Sequence, residues 1–409
     1  MASRSTTGRV AAEAGVGDAE RYIGVAERRA RLASRHRLAG AARAGSPEEV
    51  AGSLVALHGT DPATVYLAVG ARLADPARTV AETGRALYED RALVRMHGMR
   101  HTVFVFPADL TAVVHASTGL AVAARERAAL LKHMATAGAP DAAWLKEVEE
   151  SALAALALRG QATAAELAED EPRLREQFVY AAGKSYEGLH TVSTRLLKVL
   201  GVEGKVVRGR PLGSWTSSQF RWAVAPAHPE LDPAEAQSAL LRRWLTACGP
   251  ATEDDLKWWT GWRVTDVRRA LAAIGARPVT LDEGPGYVVD GDLGPVAGPA
   301  EPWAALLPGL DPTAMGWRQR DWYLAPELRP ALFDGSGNVG PTVWWNGRVI
   351  GGWAQRPDSE VVWRLLDTQG VGRDAEAAIA AEAGRLQGWL GATRVTPRFR
   401  TPLEKELAR

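Results

Sequence analysis

GQATAAEL, residues 160–167, returns as GPATEDDL at residues 249–256. Both copies read Gly-x-Ala-Thr-x-x-acid-Leu, so Thr163 and Thr252 each stand three residues before an acid, Glu166 and Asp255. That spacing predicts a capping box, in which the hydroxyl takes the N3 amide and the carboxylate reaches back to the cap. Each copy follows a long amphipathic helical run and precedes another, HTVSTRLLKVLG (190–201) and RVTDVRRALAAIG (263–275). Both of those end in glycine and lead into a β-like pair, VEGKVVRG with FRWAVA and the single run RPVTLDEGPGYVVDG. Helix, short helix, helix and hairpin in succession describe a winged helix.

A third unit is traced upstream in SPEEVAGSLVALH, PATVYLAVGARLA and VAETGRALYED, followed by the strand-like LVRMHG and HTVFVF. The chain is therefore expected to be mainly α with small β-hairpins, an α+β protein of three tandem winged-helix units and a C-terminal region. The boundaries drawn are a flexible tail at 1–24, units at 25–110, 111–228 and 229–298, and a C-terminal region at 299–409. In that last region GPTVWWNGRVIGGW predicts a hairpin, with Asn346-Gly347 as the favoured pair for a type I′ turn. A closing helix is expected over about 373–390, and Trp344, Trp345 and Trp353 read as core.

Composition excludes little. The 409 residues are 46% hydrophobic and 24% charged, as in ordinary globular proteins. Lys and Arg number 49 against 48 Asp and Glu, so a nucleic-acid surface must be a local patch. The one cysteine, Cys248, precludes an internal disulfide and a cysteine-built zinc site, and it reads as a packed small hydrophobe. The scattered histidines lack metal-ligand spacing, so no metal or other cofactor is expected. No apolar run approaches the ~20 residues of a membrane span, and the start lacks a signal-peptide core. A cytoplasmic monomer is expected.

Two apolar runs meet at HGTDP, residues 58–62. Ser46, Pro47 and Glu49 predict a helix start, with Val50, Leu54 and Leu57 on one face. Gly59 suits the left-handed position that ends such a helix, and Asp61 and Pro62 suit N-cap and N1 of the next. The next helix, ATVYLAVGA, is apolar on nearly every side and should be buried. These roles leave His58 and Thr60 unexplained. The residues alone keep both readings open, a structural histidine in a turn or a functional one.

The clearest basic patch lies between Leu189 and Trp222, where Arg195, Lys198, Lys205, Arg208, Arg210 and Arg221 face Glu203 alone in the sequence. A basic recognition helix and wing would supply phosphate contacts, and a solvated charged face is the alternative. In GWRQRDWY, Arg318, Gln319 and Arg320 alternate with aromatics that either stack on bases or simply pack.

Four blocks together carry a resemblance: LVALHGTDPATVYLAVGARL (54–73), the Gly-Ala-Thr unit at 249–256, LLPGLDPTAMGWRQRDWYL (306–324) and VWWNGRVIGGW (343–353). They resemble the AlkZ-like DNA glycosylases, grouped with YcaQ among winged-helix DNA-binding proteins. The resemblance implies a C-shaped protein of three winged helices that excises bulky N-alkylated purines from double-stranded DNA. It also implies repair of interstrand crosslinks or self-resistance to a genotoxin as the setting. The family's catalytic pair, two glutamines or glutamine and aspartate flanking one residue, falls here on His58 and Thr60 around Gly59, a departure at both positions. Neutral His58 could accept a proton from the attacking water, Thr60 could hold that water, and Asp61 could add negative charge toward the sugar cation. A histidine at a helix C-terminus would favour the protonated form, in tension with that role. No lysine occupies the junction, so a monofunctional, metal-independent hydrolase is expected. The resemblance also implies that the hairpin carrying Arg348 enters a minor groove. A non-catalytic winged-helix regulator or lesion sensor is the alternative.

Overall fold

The computed structural model describes residues 21–409. Most of the expected N-terminal tail, residues 1–20, lies outside the described residues. Residues 21–24, grouped with that tail, are anchored instead: Tyr22 bridges Thr280 and Ile23 is buried against Val279, Leu281 and Val288.

The first helix, α1 (Val25–Arg35), lies across the molecule rather than within one repeat, with Arg28 paired to Glu283 and Arg31 to Asp292. Next come α2 (Pro47–Leu54), β1 (Leu57–His58), α3 (Pro62–Gly70), α4 (Thr79–Tyr88), β2 (Leu93–His97) and β3 (Val103–Pro107). The strands form an antiparallel sheet in the order β1-β3-β2. The helix start at Ser46 is as expected, its hydroxyl accepting the Glu49 N–H, while the Glu49 carboxylate takes the Gly45 amide.

A connecting pair, α5 (Thr111–Val114) and α6 (Leu120–Thr136), leads to α7 (Ala142–Arg159) and α8 (Ala164–Asp170). Between α8 and the next helix the chain inserts a hairpin that the sequence reading lacked, β4 (Gln177–Tyr180) and β5 (Gly188–Thr191). Then follow α9 (Val192–Val202), β6 (Val206–Pro211) and β7 (Phe220–Val224), with Ala162 exchanging both backbone bonds with Trp222.

The third run repeats the pattern with α10 (Pro233–Cys248), β8 (Ala251–Thr252), α11 (Glu253–Thr260), α12 (Val264–Ala273), β9 (Arg277–Leu281) and β10 (Gly284–Val288). Its sheet order is β8-β10-β9, matching the first. Both capping boxes of the repeated octapeptide are formed, Thr163 with Glu166 and Thr252 with Asp255. In the first and third runs a short strand after the first helix pairs with the last strand of the hairpin, and in the second the single bridge of Ala162 to Trp222 takes that place.

The C-terminal region is larger than one hairpin. Strands β11 (Ala304–Leu307), β12 (Thr342–Trp345), β13 (Arg348–Gln355) and β14 (Val361–Leu365) form an antiparallel sheet in sequence order, with α13 (Arg329–Leu332) in the long β11–β12 connection. Asn346 and Gly347 have φ of 45° and 82°, as a type I′ turn demands. Helix α14 (Arg373–Leu390) covers the sheet, and α15 (Pro402–Leu407) ends the chain.

Trp244 of α10 is buried in the largest apolar cluster, which joins Phe104 and Phe106 of the first run to Trp317, Tyr323 and Trp344 of the C-terminal region. The second run has its own core around Leu145, Leu196 and Trp222. Val55, Ala56 and Phe104, which flank the junction carrying His58, belong to the shared cluster around Trp244.

Candidate functional site

Helix α2 stops at Leu54, two residues before the strand, because Val55 turns to φ 67°. The sequence reading extended that helix through Leu57 and ended it at Gly59. Instead Leu57 and His58 form a strand opposite Val105 and Phe104. Gly59 has no positive φ; it is required because a Cβ there would lie 3.1 Å from the backbone carbon of Phe104. Asp61 and Pro62 do begin α3 as expected. Where the third run passes from its short strand directly into a helix, this one interposes Gly59 and Thr60.

His58 therefore does not end a helix, and the dipole expected to favour its protonated form is absent. Its ring lies edge-on to Phe104, centroids 5.3 Å apart, and its Nδ1 is buried without a hydrogen-bond partner among the described residues. Burial, reinforced by the Arg100 guanidinium, pushes its pKa down to about 4. The neutral imidazole is thus the resting form at neutral pH.

Beside the ring is a cavity of about 20 Å³ lined by His58, Arg100, Phe104, Trp259, Leu310 and Met315. That is room for about one water molecule and far too little for a purine. Thr60 is half-buried on the same junction but does not line that cavity, and its hydroxyl makes no hydrogen bond among the described residues. Asp61 has a different setting: Oδ1 accepts the Ala63 amide at 3.1 Å and Oδ2 the Arg398 amide at 3.0 Å. Its carboxylate caps α3 and pins the C-terminal segment, one amide on each oxygen.

Arg100 escaped the sequence reading. It occupies the β2–β3 turn with φ 52°, and its guanidinium lies 4.2 Å above the Trp258 ring. Arg320 approaches the same ring at 5.3 Å. The GWRQRDWY block is thereby brought near the junction, held by Asp255, whose Oδ1 accepts the amides of Arg318 and Gln319 at 2.9 Å each. The acid of the second repeat thus caps one helix and anchors a loop. Arg318 is exposed and Arg320 buried, while Trp317, Trp322 and Tyr323 pack in the core.

The basic patch is more neutralised than its sequence neighbourhood indicates. Lys198 pairs with Glu126, Lys205 with Glu149 and Glu203, Arg210 with Glu89 and Arg221 with Glu166. Those partners, Glu203 apart, come from distant segments, which is why a local count missed them. Arg195 stacks on Tyr180 at 3.4 Å and bonds His190. Arg208 stacks on Phe220 at 4.5 Å. The hairpin bearing Arg348 does not stand free: a Cβ on Gly347 would lie 2.6 Å from the Arg29 Cβ, and Arg348 donates to the Gln369 carbonyl at 2.6 Å.

Among the described residues no group of three or more His, Cys, Asp or Glu side chains is placed to hold a metal ion. No helix among them is long and apolar enough to cross a membrane.

Residues 51–389 match the family described as DNA glycosylase AlkZ-like, and the chain belongs to that family. A curated relative, the interstrand DNA cross-link repair glycosylase of Streptomyces sahachiroi, is 28% identical over 207 residues. That match takes in 47% of this chain and 54% of the relative, so the chain spans about half the length of the relative it matches. The solved structure of the Streptomyces sahachiroi DNA glycosylase AlkZ is similar in fold, with a TM-score of 0.67 at 21% identity over 91% of this chain and 98% of that one.

Proposed function

We propose that this protein is a monofunctional DNA glycosylase that hydrolyses the N-glycosidic bond of bulky N-alkylated purines, of the N7-alkylguanine or N3-alkyladenine type, in double-stranded DNA. The setting is repair or self-resistance, with interstrand crosslinks within its range. The repeated runs are read as three winged-helix units, 25–110, 111–228 and 229–298, followed by the C-terminal region. The protein acts as a cytoplasmic monomer without a metal.

The observation that carries the reading is a neutral imidazole with an uncommitted nitrogen beside a cavity sized for one water. An alkylated purine is cationic and leaves with the C1′–N bonding pair as a neutral base. The protein has to brace the oxocarbenium-like sugar and direct a water at C1′. His58 accepts the proton as the water oxygen bonds to C1′, and the Thr60 hydroxyl holds that water. Glutamine in the related motif offers only hydrogen bonds; histidine adds a proton acceptor. Asp61, committed to its cap, contributes by fixing the start of α3. Arg195, Lys198, Lys205, Arg208, Arg210, Arg318, Gln319, Arg320 and Arg348 are the proposed DNA contacts.

The test is abasic-site formation on an oligonucleotide carrying an N7-alkylguanine, with His58→Ala and Thr60→Ala alongside. Activity in the wild type that is lost in His58→Ala supports the reading. Binding without any abasic product would leave a non-catalytic DNA-binding protein.

A further inference from the structure

Between the first two runs, along the outer edge of strand β2, lies a cleft of about 710 Å³. Its wall includes Arg91, Arg95, Arg208, Arg210 and Arg221, with Asp109 as the one carboxylate lining it among the described residues. Arg210 and Arg221 already have carboxylate partners in Glu89 and Glu166, and Asp109 pairs with Arg243. Arg95 has none. It is 4% exposed, and its Nε and Nη2 are buried without an acceptor among the described residues.

A buried guanidinium with unmet donors is costly, and the cost is relieved by an anion that accepts from its planar edge. Arg208 stands close by and is crowded as well: burial, with Arg95 and Arg398 as like charges, pushes its pKa down to about 10. It remains cationic at neutral pH. Arg95 and Arg208 thus stand together without a compensating carboxylate among the described residues, on a cleft in the size range of small-ligand sites. Tyr88 lines the same cleft, offering a ring face beside Arg210.

We propose that this cleft is a phosphate-binding site, in which Arg95 and Arg208 grip the phosphate of a nucleotide-sized ligand or of a DNA strand. Arginine fits such a group through paired N–H donors, which a lysine could not present. Arg208, expected from the sequence to act as a wing contact on the DNA backbone, is on this reading part of a built pocket. The inference stands on the cleft alone and does not depend on base excision at His58.

The test titrates the full-length protein by calorimetry with pyrophosphate, with dGMP and with an undamaged oligonucleotide. It is repeated with Arg95→Met, with Arg208→Gln and with Arg356→Gln as a charge-matched control at a distant surface pair. Either site variant should weaken at least one probe by roughly tenfold or more, as the loss of a charge-assisted bond implies, with the control unchanged. Loss confined to the oligonucleotide identifies the phosphate as that of DNA, and loss of dGMP or pyrophosphate identifies a free ligand. Binding of all three probes unchanged in both variants, with folding verified by circular dichroism, overturns the proposal, as does failure of the wild type to bind any of them.

Discussion

Arg72 and Asp311 meet with neither side chain exposed, the guanidinium donating Nη1 and Nη2 to the two carboxylate oxygens at 2.8 and 2.7 Å. The pair fastens the end of α3 to the loop that follows β11. Arg72 also donates to Thr313 Oγ1, and Asp311 accepts the Thr313 amide. That loop supplies Leu310 and Met315 to the wall of the cavity beside His58. Asp311→Asn should therefore cost about 3–5 kcal/mol, because it strands a buried cation. Denaturant unfolding followed by tryptophan fluorescence checks this. A loss below about 1 kcal/mol would show that the loop is held by other contacts.

The depressed pKa of His58 sets where acid inhibits. If the neutral imidazole accepts the proton, the single-turnover excision rate should stay level from pH 8 to about 5 and fall as pH passes through about 4. An inflection near the ordinary histidine value of ~6.5 would refute the assignment. Stability follows the same sign. His36 and His58, held down to about 3 and 4 by burial, stay neutral where the unfolded chain already takes up protons. Stability is full above about pH 6.5 and declines as pH falls toward those values, by up to ~1.4 kcal/mol per unit for each histidine.

Gly59→Ala tests why the junction needs a glycine. Its φ is ordinary, so the penalty is steric: the new methyl would crowd the Phe104 carbonyl carbon at 3.1 Å and push β1 from β3. A stability loss of about 1–3 kcal/mol is expected, with a larger proportional loss of excision rate because His58 moves with the strand. Equal activity at reduced stability would detach His58's position from catalysis.

The cap-and-hairpin grammar was legible because it is local. Thr163 with Glu166, Thr252 with Asp255, Ser46 with Glu49 and the Asn346-Gly347 turn are all decided within a few residues, and all four form. The junction was half legible. Asp61 and Pro62 start α3, but Leu57 at helical spacing from Val50 and Leu54 proved to be strand, since pairing with Val105 overrides local periodicity. What depends on distant chain was not legible: Arg100 over Trp258, Glu126 and Glu149 cancelling the basic patch, and the four-stranded C-terminal sheet.

Asp255 joins two tasks that a single substitution separates. Oδ2 takes the Thr252 amide and hydroxyl, while Oδ1 takes the amides of Arg318 and Gln319. Asp255→Ala leaves these donors unmet and should destabilise by roughly 2–4 kcal/mol while loosening the Arg318 loop. Thr252→Val removes only the cap hydroxyl and should cost about 1 kcal/mol, leaving the loop in place. If DNA affinity falls in Asp255→Ala and holds in Thr252→Val, the loop contributes to binding. Parallel losses would attribute the effect to stability alone.

The ion pairs divide the basic patch into cations that still carry free charge and cations that do not. Lys205 touches two carboxylates, at 2.5 and 3.1 Å, whereas Arg195 rests on the Tyr180 ring and bonds the uncharged side of His190, with no salt-bridge partner among the described residues. DNA affinity and its salt dependence come from the release of counterions by uncompensated protein charge. Arg195→Ala should therefore lower the slope of log affinity against log salt by about 1, and Lys205→Ala, a contact whose charge is partly compensated by Glu149 and Glu203, should lower it by less. Fluorescence anisotropy over a salt series distinguishes the two. Equal slope changes would mean that the Lys205 pairs open on binding, freeing Glu149 and Glu203 to repel the strand, in which case Glu149→Gln should tighten DNA binding and restore the difference.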